Sequence, residues 1–543
     1  MIVYNLAAVR RATVQAEPGE ALGDERADEF RVDLPAILAY WADATPDADF
    51  LIFQGLDGEP TTWTYGGFRD AVSDLAGLLR DSGLGPRDRC VVHTGNSPGF
   101  MSLFWAIQEI GAVIVPTIAQ YSADELAFVV EDSNASMVIS TPELADAATQ
   151  AIGESGRILL VEGAVDADGR LALEHRQGDP LCGGRGGELP EEVALVLYTS
   201  GTTSRPKGVM LSHSGLLYTA RTYADHFRLQ PGDRTLTCLP LFHANGLLLQ
   251  MLPVILSGGS MVLTPRFSTS RYWDWVNRFD VSVAHLVAGP IRLLRSGQAE
   301  PGLNRIRFMT HGMPLTSDEI KGFEDRFGIP LVMIWGSTET GCGGTVMPLD
   351  AGRRPGHQNI GQVMPGWQVA VTDPENGAEL FDSGLGELRV KSPGVMIGYL
   401  GRPDATAETL VDGWVRTGDL GWRDEGGYYH FVDRLKDMLK PSGENVAASE
   451  VERVIIDHPS VHKCAVVGLP DEVRMETVVA VVVPEDGADP TPEEIRAHCG
   501  EHLASFKVPS RVEFRRELPE TSIGKTRKAE LKQELLANTG KDQ

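Results

Sequence analysis

The sequence of 543 residues has no apolar run approaching the roughly 18 residues that a membrane-crossing helix needs. Its first stretch, "MIVYNLAAVRRATVQAEPGE", places arginines after the apolar residues and has no long apolar core. A soluble, cytoplasmic chain without targeting segment or membrane insertion is expected. Positive charge is in short supply: 49 Lys and Arg stand against 75 Asp and Glu, a formal net charge of −26. That balance argues against nucleic acid or an anionic membrane as a partner, because an acidic surface repels both. Cysteine is scarce too, six residues with no C-x-x-C pair, which gives neither a zinc signature nor a disulfide framework. Free thiols are expected. No internal repeat or long low-complexity tract is present.

What the chain does have is alternation. From Asp49 to Gly163, apolar runs such as "DFLIFQG", "RCVVHTG" and "AVIVPT" alternate with helix-period segments such as "TYGGFRDAVSDLAGLLRDSG" and "SPGFMSLFWAIQEIG". This is the pattern of parallel βαβ units. The Gly- and Pro-rich break "GDPLCGGRGGELPEE" is expected to carry the chain across to a second sheet, built from a second α/β set that ends in "PLVMIWGSTETG". From about Pro355 to Tyr429 short strands and glycine turns predict a small β-rich subdomain. Beyond "FVDRLKDMLK" follow a helix, two strands, a helix and a tail. The expected architecture is multi-domain α/β: two doubly wound α/β subdomains and a small β-rich subdomain over 1–432, a hinge at 433–437, and a small mobile α+β domain over 438–543.

One loop raises a chemical question. The apolar run "EEVALVLY" opens into "TSGTTSRPKGV". Small hydroxylated residues and glycine let a backbone aim several N–H groups at one place, and a lysine adds charge, which suits a polyphosphate. The Walker A order is absent, since Pro206 precedes Lys207 and Gly208 follows it. Another kind of phosphate loop is required.

Five stretches taken together supply it. "YTSGTTSRPKGV", "WGSTE" (Trp335 to Glu339), "RTGDL" (Arg416 to Leu420), "DRLKDMLKPSGENVAASEVE" and "PETSIGK" (Pro519 to Lys525) stand in the order and at the separations of the adenylate-forming superfamily, which the chain resembles over nearly its whole length. That superfamily holds acyl- and aryl-CoA synthetases, peptide-synthetase adenylation domains and beetle luciferases. Finer texture is similar to the carnitine/crotonobetaine-CoA ligase-like branch.

The resemblance implies roles that physical chemistry supports. Thr199, Ser200, Gly201, Thr202, Thr203 and Lys207 would hold the β,γ-phosphates of ATP through hydroxyls, backbone N–H groups and one ammonium. Ser204 stands where relatives often carry Gly. Trp335, where relatives often have Tyr, would stack on adenine, with Gly336 and Ser337 beside it and Gly312, Met313 and Pro314 as the other wall; stacking of this kind is worth roughly 1–3 kcal/mol. Glu339 is the expected Mg²⁺ ligand, since that ion takes one or two protein carboxylates and fills its remaining positions with phosphate oxygens and water. Thr338 would touch the α-phosphate. Asp419 would accept from both ribose hydroxyls, and Arg434 would donate to the same sugar.

Lys525 would bridge the substrate carboxylate and the α-phosphate, where negative charge builds as pyrophosphate leaves. Lys436 aligns with the pivot of relatives, and Gly443 with their pantetheine channel. His243, in "LPLFHANG", would gate or orient the acyl group. The implied activity is an ATP-dependent carboxylic acid–CoA ligase that uses ATP, Mg²⁺ and coenzyme A and forms an acyl-AMP on the way to the thioester. Two alternatives share these motifs: a loading enzyme that acylates a carrier-protein phosphopantetheine in trans, and a luciferase-like oxygenase. The segments that line the acyl pocket in relatives contain Ala244, Gly246, Ala288, Gly289, His311, Gly343 and Gly344. Their small size predicts a wide pocket and a bulky, mainly apolar acid.

Overall fold

The computed structural model describes residues 33–539 apart from 154–157, 166–170, 177–188, 191, 200–205, 299–301, 303–304, 313–314, 351–352, 357, 382–383, 440, 442–445, 472–474 and 521–525. Two compact units emerge. One holds the described residues of Met1–Thr199, Lys207–Val369 and Arg389–Thr417, the other those of Ser200–Pro206, Ala370–Leu388 and Gly418–Gln543.

The first unit contains two mostly parallel sheets. In the eight-stranded sheet, the strands Val193–Thr199, Val113–Pro116, Arg89–His93, Met137–Ser140 and Ile158–Val165 run parallel in that spatial order. The strand Lys207–Ser212 pairs antiparallel with Val193–Thr199, and the short strand Gly398–Tyr399 closes that edge. The central strands are buried on both faces, which is why they read as unbroken apolar runs. Their helices start on strong signals: Ser97 caps Pro98–Ile110 with proline in its first turn, and Ser122 with Glu125 forms a capping box at Ala123–Ser133.

The second sheet runs Asn359–Val363, Thr345–Val346, Leu331–Trp335, Phe308–His311, Val283–His285, Arg234–Thr237, Ser260–Leu263, Asp49–Phe53 and Thr61–Thr64. Its six central strands, Leu331–Trp335 to Asp49–Phe53, are parallel. Two expectations are corrected here. The strand Asp49–Phe53 belongs to this second sheet, beside Ser260–Leu263. Val193–Thr199 returns to the first sheet beside Val113–Pro116, so the Gly/Pro-rich break does not carry the chain across. Both strands are apolar, and hydrophobic pattern identifies a strand without naming its neighbour.

In the second unit, Val461–Asp471, Met475–Pro484 and Arg511–Phe514 form a three-stranded sheet. Alternation along the middle strand decides its packing. Val478, Ala480 and Val482 join the cluster of the helices Ala448–Ile456 and Pro492–His502, while Val479, Val481 and Val483 pack with Leu518, Leu531 and Leu535. The last two leucines lie one helical turn apart on the helix Lys528–Thr539. This helix and the strand Arg511–Phe514 replace the expected tail. The same unit holds the hairpin in which Asp419–Arg423 pairs with Tyr429–Arg434, from Asp419↔Arg434 to Arg423↔Tyr429.

Gly341 and Gly77 separate two uses of glycine. A Cβ on Gly341, which has φ +59°, would lie 2.1 Å from the Gly394 carbonyl oxygen, whereas Gly77, inside the helix Tyr65–Asp81, has nothing within 4 Å. Gly341→Ala is expected to destabilise by about 2 kcal/mol or more, through steric overlap and left-handed backbone strain. Gly77→Ala should stabilise by about 1 kcal/mol through helix propensity. Paired thermal melts check this, and equal melting temperatures for the two variants would contradict the described contact.

Candidate active site

The hairpin formed by Val193–Thr199 and Lys207–Ser212 places Thr199 directly across from Lys207. The Thr199 hydroxyl donates to the Lys207 carbonyl at 3.5 Å. The two residues thus flank the base of the expected phosphate loop, whose residues Ser200, Gly201, Thr202 and Thr203 lie outside the described residues. The Lys207 ammonium sits over the Tyr399 ring, 4.8 Å from its centroid.

Beyond the strand Leu331–Trp335 the chain makes a self-braced loop. The Ser337 N–H donates to the Thr340 hydroxyl at 2.8 Å and the Thr340 N–H to the Ser337 hydroxyl at 3.3 Å, while the N–H groups of Gly341 and Cys342 donate to the carbonyls of Thr338 and Ser337. Gly336 is required, since a Cβ there would lie 2.7 Å from the Cys342 carbonyl carbon. The bracing holds Thr338 and Glu339 half-buried at the surface of the loop. The Tyr399 hydroxyl donates to Glu339 Oε1 at 3.0 Å, and the Met396 N–H donates to the Glu339 carbonyl at 2.8 Å.

A single half-buried carboxylate is what an Mg²⁺ ion arriving with a polyphosphate would use. Among the described residues no group of three or more His, Cys, Asp or Glu could hold a metal without such a ligand. The lone carboxylate of Glu339 fits an ion shared with ATP.

Trp335 is buried, 7 % exposed, and its six-membered ring lies against Gly344, where a Cβ would be 2.9 Å from Cε3. Trp367 fills the space over Gly343, with Cη2 and Cζ2 2.2 Å from the position of a Cβ. A Cβ on Gly246 would meet the Pro240 carbonyl oxygen at 2.9 Å. The expectation that these three glycines open a wide acyl pocket is corrected: their missing side chains admit two tryptophans and a backbone carbonyl. Only Gly289, at the start of the helix Ala288–Ser296, has open space around it. Ala244 and Ala288 are buried. Gly312 follows the strand Phe308–His311, whose last residue is buried, while Met313 and Pro314 lie outside the described residues.

At the carboxyl ends of the second sheet sits a polar layer that sequence reading missed apart from His243 and His311. Arg234–Thr237 is flanked by the strand that follows it, Ser260–Leu263, and by the next, Val283–His285, so the chain order reverses there, the place where open α/β sheets bind ligands. His285 Nδ1 is 2.7 Å from the Thr310 hydroxyl, and Gln250, on the π-helical turn Leu247–Met251, donates to the His285 carbonyl at 3.0 Å. Among the described residues, buried Thr237 Oγ1, His243 Nε2, Gln250 Oε1 and His285 Nε2 have no partner. Burial pushes the His243 imidazole down to about 4 and that of His285, with His311 nearby, to about 3. Both rings are neutral near pH 7, able to orient a substrate but carrying no charge.

In the second unit, Asp419 is 5 % exposed and its Oδ1 lies 2.7 Å from Arg434 Nε, the two residues being register partners. The expected ribose acceptor is thus ion-paired with the residue expected to share the sugar. Lys436 sits exposed on the 3₁₀ turn Leu435–Asp437. Gly443 and Lys525 lie outside the described residues.

Comparison with known proteins bears on these residues. The family model described as AMP-binding enzyme matches residues 38–400, and that of the AMP-binding enzyme C-terminal domain matches 450–525. A crotonobetaine/carnitine–CoA ligase of Salmonella typhimurium (strain LT2) is 31% identical over 508 residues, 90% of this chain and 96% of its own. The crystal structure of ATP-bound MatB from Rhodopseudomonas palustris superposes with a TM-score of 0.80 at 29% identity, covering 92% of this chain and 98% of that one. The o-succinylbenzoate CoA synthetase MenE from Bacillus subtilis, in complex with ATP and magnesium ion, shares the fold with a TM-score of 0.80 at 24% identity, covering 91% and 99%.

Buried histidines make stability pH-dependent. Burial lowers His93, His213 and His243 to about 4 and His285 to about 3, from an ordinary value of 6.5. Between those values the unfolded chain binds more protons than the folded one, so the stabilisation is complete above about pH 6.5 and is lost as pH falls toward 4, by up to about 1.4 kcal/mol per pH unit for each ring. His213→Asn keeps an acceptor for the Leu34 N–H, which donates to His213 Nδ1 at 3.3 Å, but removes the titration. Urea melts from pH 4.5 to 6.5 should show a shallower slope for this variant. An unchanged slope would mean His213 is not held neutral.

Proposed function

The chain belongs to the AMP-binding enzyme family, and from that premise we infer that it joins a carboxylic acid to coenzyme A, using ATP and passing through an acyl-adenylate. One observation of geometry carries the reading. Lys207 and Glu339 face the same aromatic ring from the two sheets, one a cation suited to phosphate and the other a carboxylate suited to Mg²⁺, and among the described residues neither is engaged in a salt bridge.

The steps follow from charge. The acid's carboxylate oxygen attacks the α-phosphorus of ATP, the bond to the bridging oxygen of pyrophosphate breaks, and pyrophosphate leaves. Thr199, Lys207 and the loop between them hold the departing phosphates, and Trp335 with Gly312 lines the base. Glu339 would hold a magnesium ion, which when bound neutralises charge on the phosphate oxygens. Asp419 accepts from the ribose hydroxyls, its partner Arg434 fixing the carboxylate. Lys525 stabilises the charge that develops between carboxylate and α-phosphate, a contact stronger in the transition state than in the ground state. The thiol of coenzyme A then attacks the acyl carbon, AMP leaves with the carboxylate's former oxygen, and the thiol proton is released.

Adenylation and thiol attack need different groups at one acyl carbon. The small domain, 438–543, turns about 433–437 with Lys436 as pivot, withdraws Lys525, and brings the loop carrying Gly443 beside the pantetheine channel. The thiol is that of free coenzyme A, with a carrier-protein phosphopantetheine as the outcome that would replace it. No helix among the described residues is long and apolar enough to cross a membrane. For the acid, the support for large size now rests on Ala244, Ala288 and the space beside Gly289, while Thr237, His243, Gln250 and His285 offer hydrogen bonds to a polar substituent.

A panel of small, bulky apolar and polar-substituted acids, assayed for pyrophosphate release with and without coenzyme A, tests the activity. Acid-dependent pyrophosphate and a CoA thioester are expected; release of ADP and phosphate would overturn it. Lys525→Ala should lower adenylation by about 10²–10³ and largely spare thioester formation from supplied acyl-AMP. An equal fall in both half-reactions would refute the division of labour.

A further inference from the structure

The residue in contact with both Lys207 and Glu339 is one that no motif named. Tyr399 is 7 % exposed, on the edge strand Gly398–Tyr399 paired with Lys207–Ser212. Its backbone is fixed from both sides: the Tyr399 N–H donates to the Thr406 hydroxyl at 2.9 Å, the Leu400 N–H to the Gly208 carbonyl at 2.8 Å, and the Ile397 N–H to the Met210 carbonyl at 2.9 Å. One residue earlier, Met396 is hydrogen-bonded to the backbone of Glu339. The ring thus has a defined position between the base of the phosphate loop and the loop of Glu339.

Its two contacts use different parts of the phenol. The face attracts the Lys207 ammonium through the ring quadrupole, 4.8 Å from the centroid. The hydroxyl donates to Glu339 Oε1 at 3.0 Å and so fixes which carboxylate oxygen remains for another ligand. A lysine and a glutamate on flexible stems against one ring are free to pair with each other once the ring is gone, and a cation so paired is withdrawn from phosphate as a carboxylate is withdrawn from a metal ion.

We propose that Tyr399 is a positioning residue that keeps Lys207 and Glu339 from forming a direct ion pair, holding the first for the polyphosphate of ATP and the second for its magnesium ion. This rests on the reading of Lys207 and Glu339 given above. It assigns Tyr399 no contact with the reacting atoms.

Two substitutions divide the contacts. Tyr399→Phe keeps the face under Lys207 and removes the hydroxyl. ATP affinity measured by calorimetry in EDTA should stay within about twofold of the unsubstituted enzyme, while the Mg²⁺ concentration for half-maximal ATP–pyrophosphate exchange rises about three- to tenfold, the scale of one typical hydrogen bond lost. The kcat at saturating Mg²⁺ should be unchanged. Tyr399→Leu removes the spacer, so ATP affinity in EDTA should fall about three- to tenfold as Lys207 turns to Glu339. Adding Glu339→Gln to Tyr399→Leu should then restore ATP affinity in EDTA, a rescue that a merely structural role for Tyr399 would not produce. Failure of that rescue, or a Tyr399→Phe variant with unaltered Mg²⁺ dependence, would overturn the proposal. The single variant Glu339→Gln separates the levels. If it raises the Mg²⁺ requirement and Tyr399→Phe does not, only the positioning role is lost. If it leaves the requirement unchanged, the reading of Glu339 as metal ligand is wrong and the proposal falls with it.

Discussion

The segment Met396–Leu400 ties the two sheets together beside Lys207 and Glu339, as buried Asn96 does between the first sheet and the carbonyls of Leu239 and Thr264. Its hydrogen bonds to Gly208 and Met210 belong to the first sheet and its bond to Glu339 belongs to the loop that follows a strand of the second. Lys207 and Glu339, the proposed phosphate-binding cation and metal-binding carboxylate, are therefore carried by different βαβ systems and meet through five residues. Backbone hydrogen bonds make this a rigid join, because each leaves an unpaired buried group if it is broken. The site's charge geometry is in this sense a property of strand pairing.

Close packing of glycine against tryptophan supplies the second constraint. Trp335 lies on Gly344, Trp367 on Gly343, and a Cβ on Gly394 would come within 2.8 Å of the same Trp367 ring. A large rigid ring packed on bare backbone fixes a loop more tightly than flexible side chains would, since few rotamers are open to either partner. The loop that presents Thr338 and Glu339 owes its shape to this packing and to the Ser337–Thr340 bracing. Of the glycines that suggested a wide pocket, Gly343 and Gly344 are the sockets of these tryptophans.

What the sequence made legible was local. Runs such as "ALVLY" and "LVMIW" are strands, and the helix-period segments "TYGGFRDAVSDLAGLLRDSG" and "SPGFMSLFWAIQEIG" are helices. The partners were not legible. Nothing in "DFLIF" says that it pairs with "SMVL" more than two hundred residues later, because parallel pairing is set by the sum of many contacts and not by pattern. The helix Lys528–Thr539 was overlooked because only Leu531 and Leu535 mark its buried face amid charged neighbours. Tyr399 was hidden for a similar reason, since one tyrosine in the apolar run "VMIGYL" reads as core, and its function depends on Lys207 and Glu339, distant in sequence and adjacent in space. The polar layer of His285 and Gln250 could have been noticed as histidine and glutamine inside otherwise apolar segments.

An acidic protein, net −26, binding a polyanion must concentrate its positive charge locally, and Lys207 and Lys525 are the cations assigned to that work. The central claim is that the acid's own oxygen forms the bond to the α-phosphorus. It is tested most directly with an acid labelled in both carboxylate oxygens with ¹⁸O, incubated with enzyme, ATP, Mg²⁺ and coenzyme A, and mass spectrometry of the nucleotide product. AMP carrying one ¹⁸O atom is the result the account predicts. Unlabelled AMP, or label recovered in inorganic phosphate beside ADP, would contradict it.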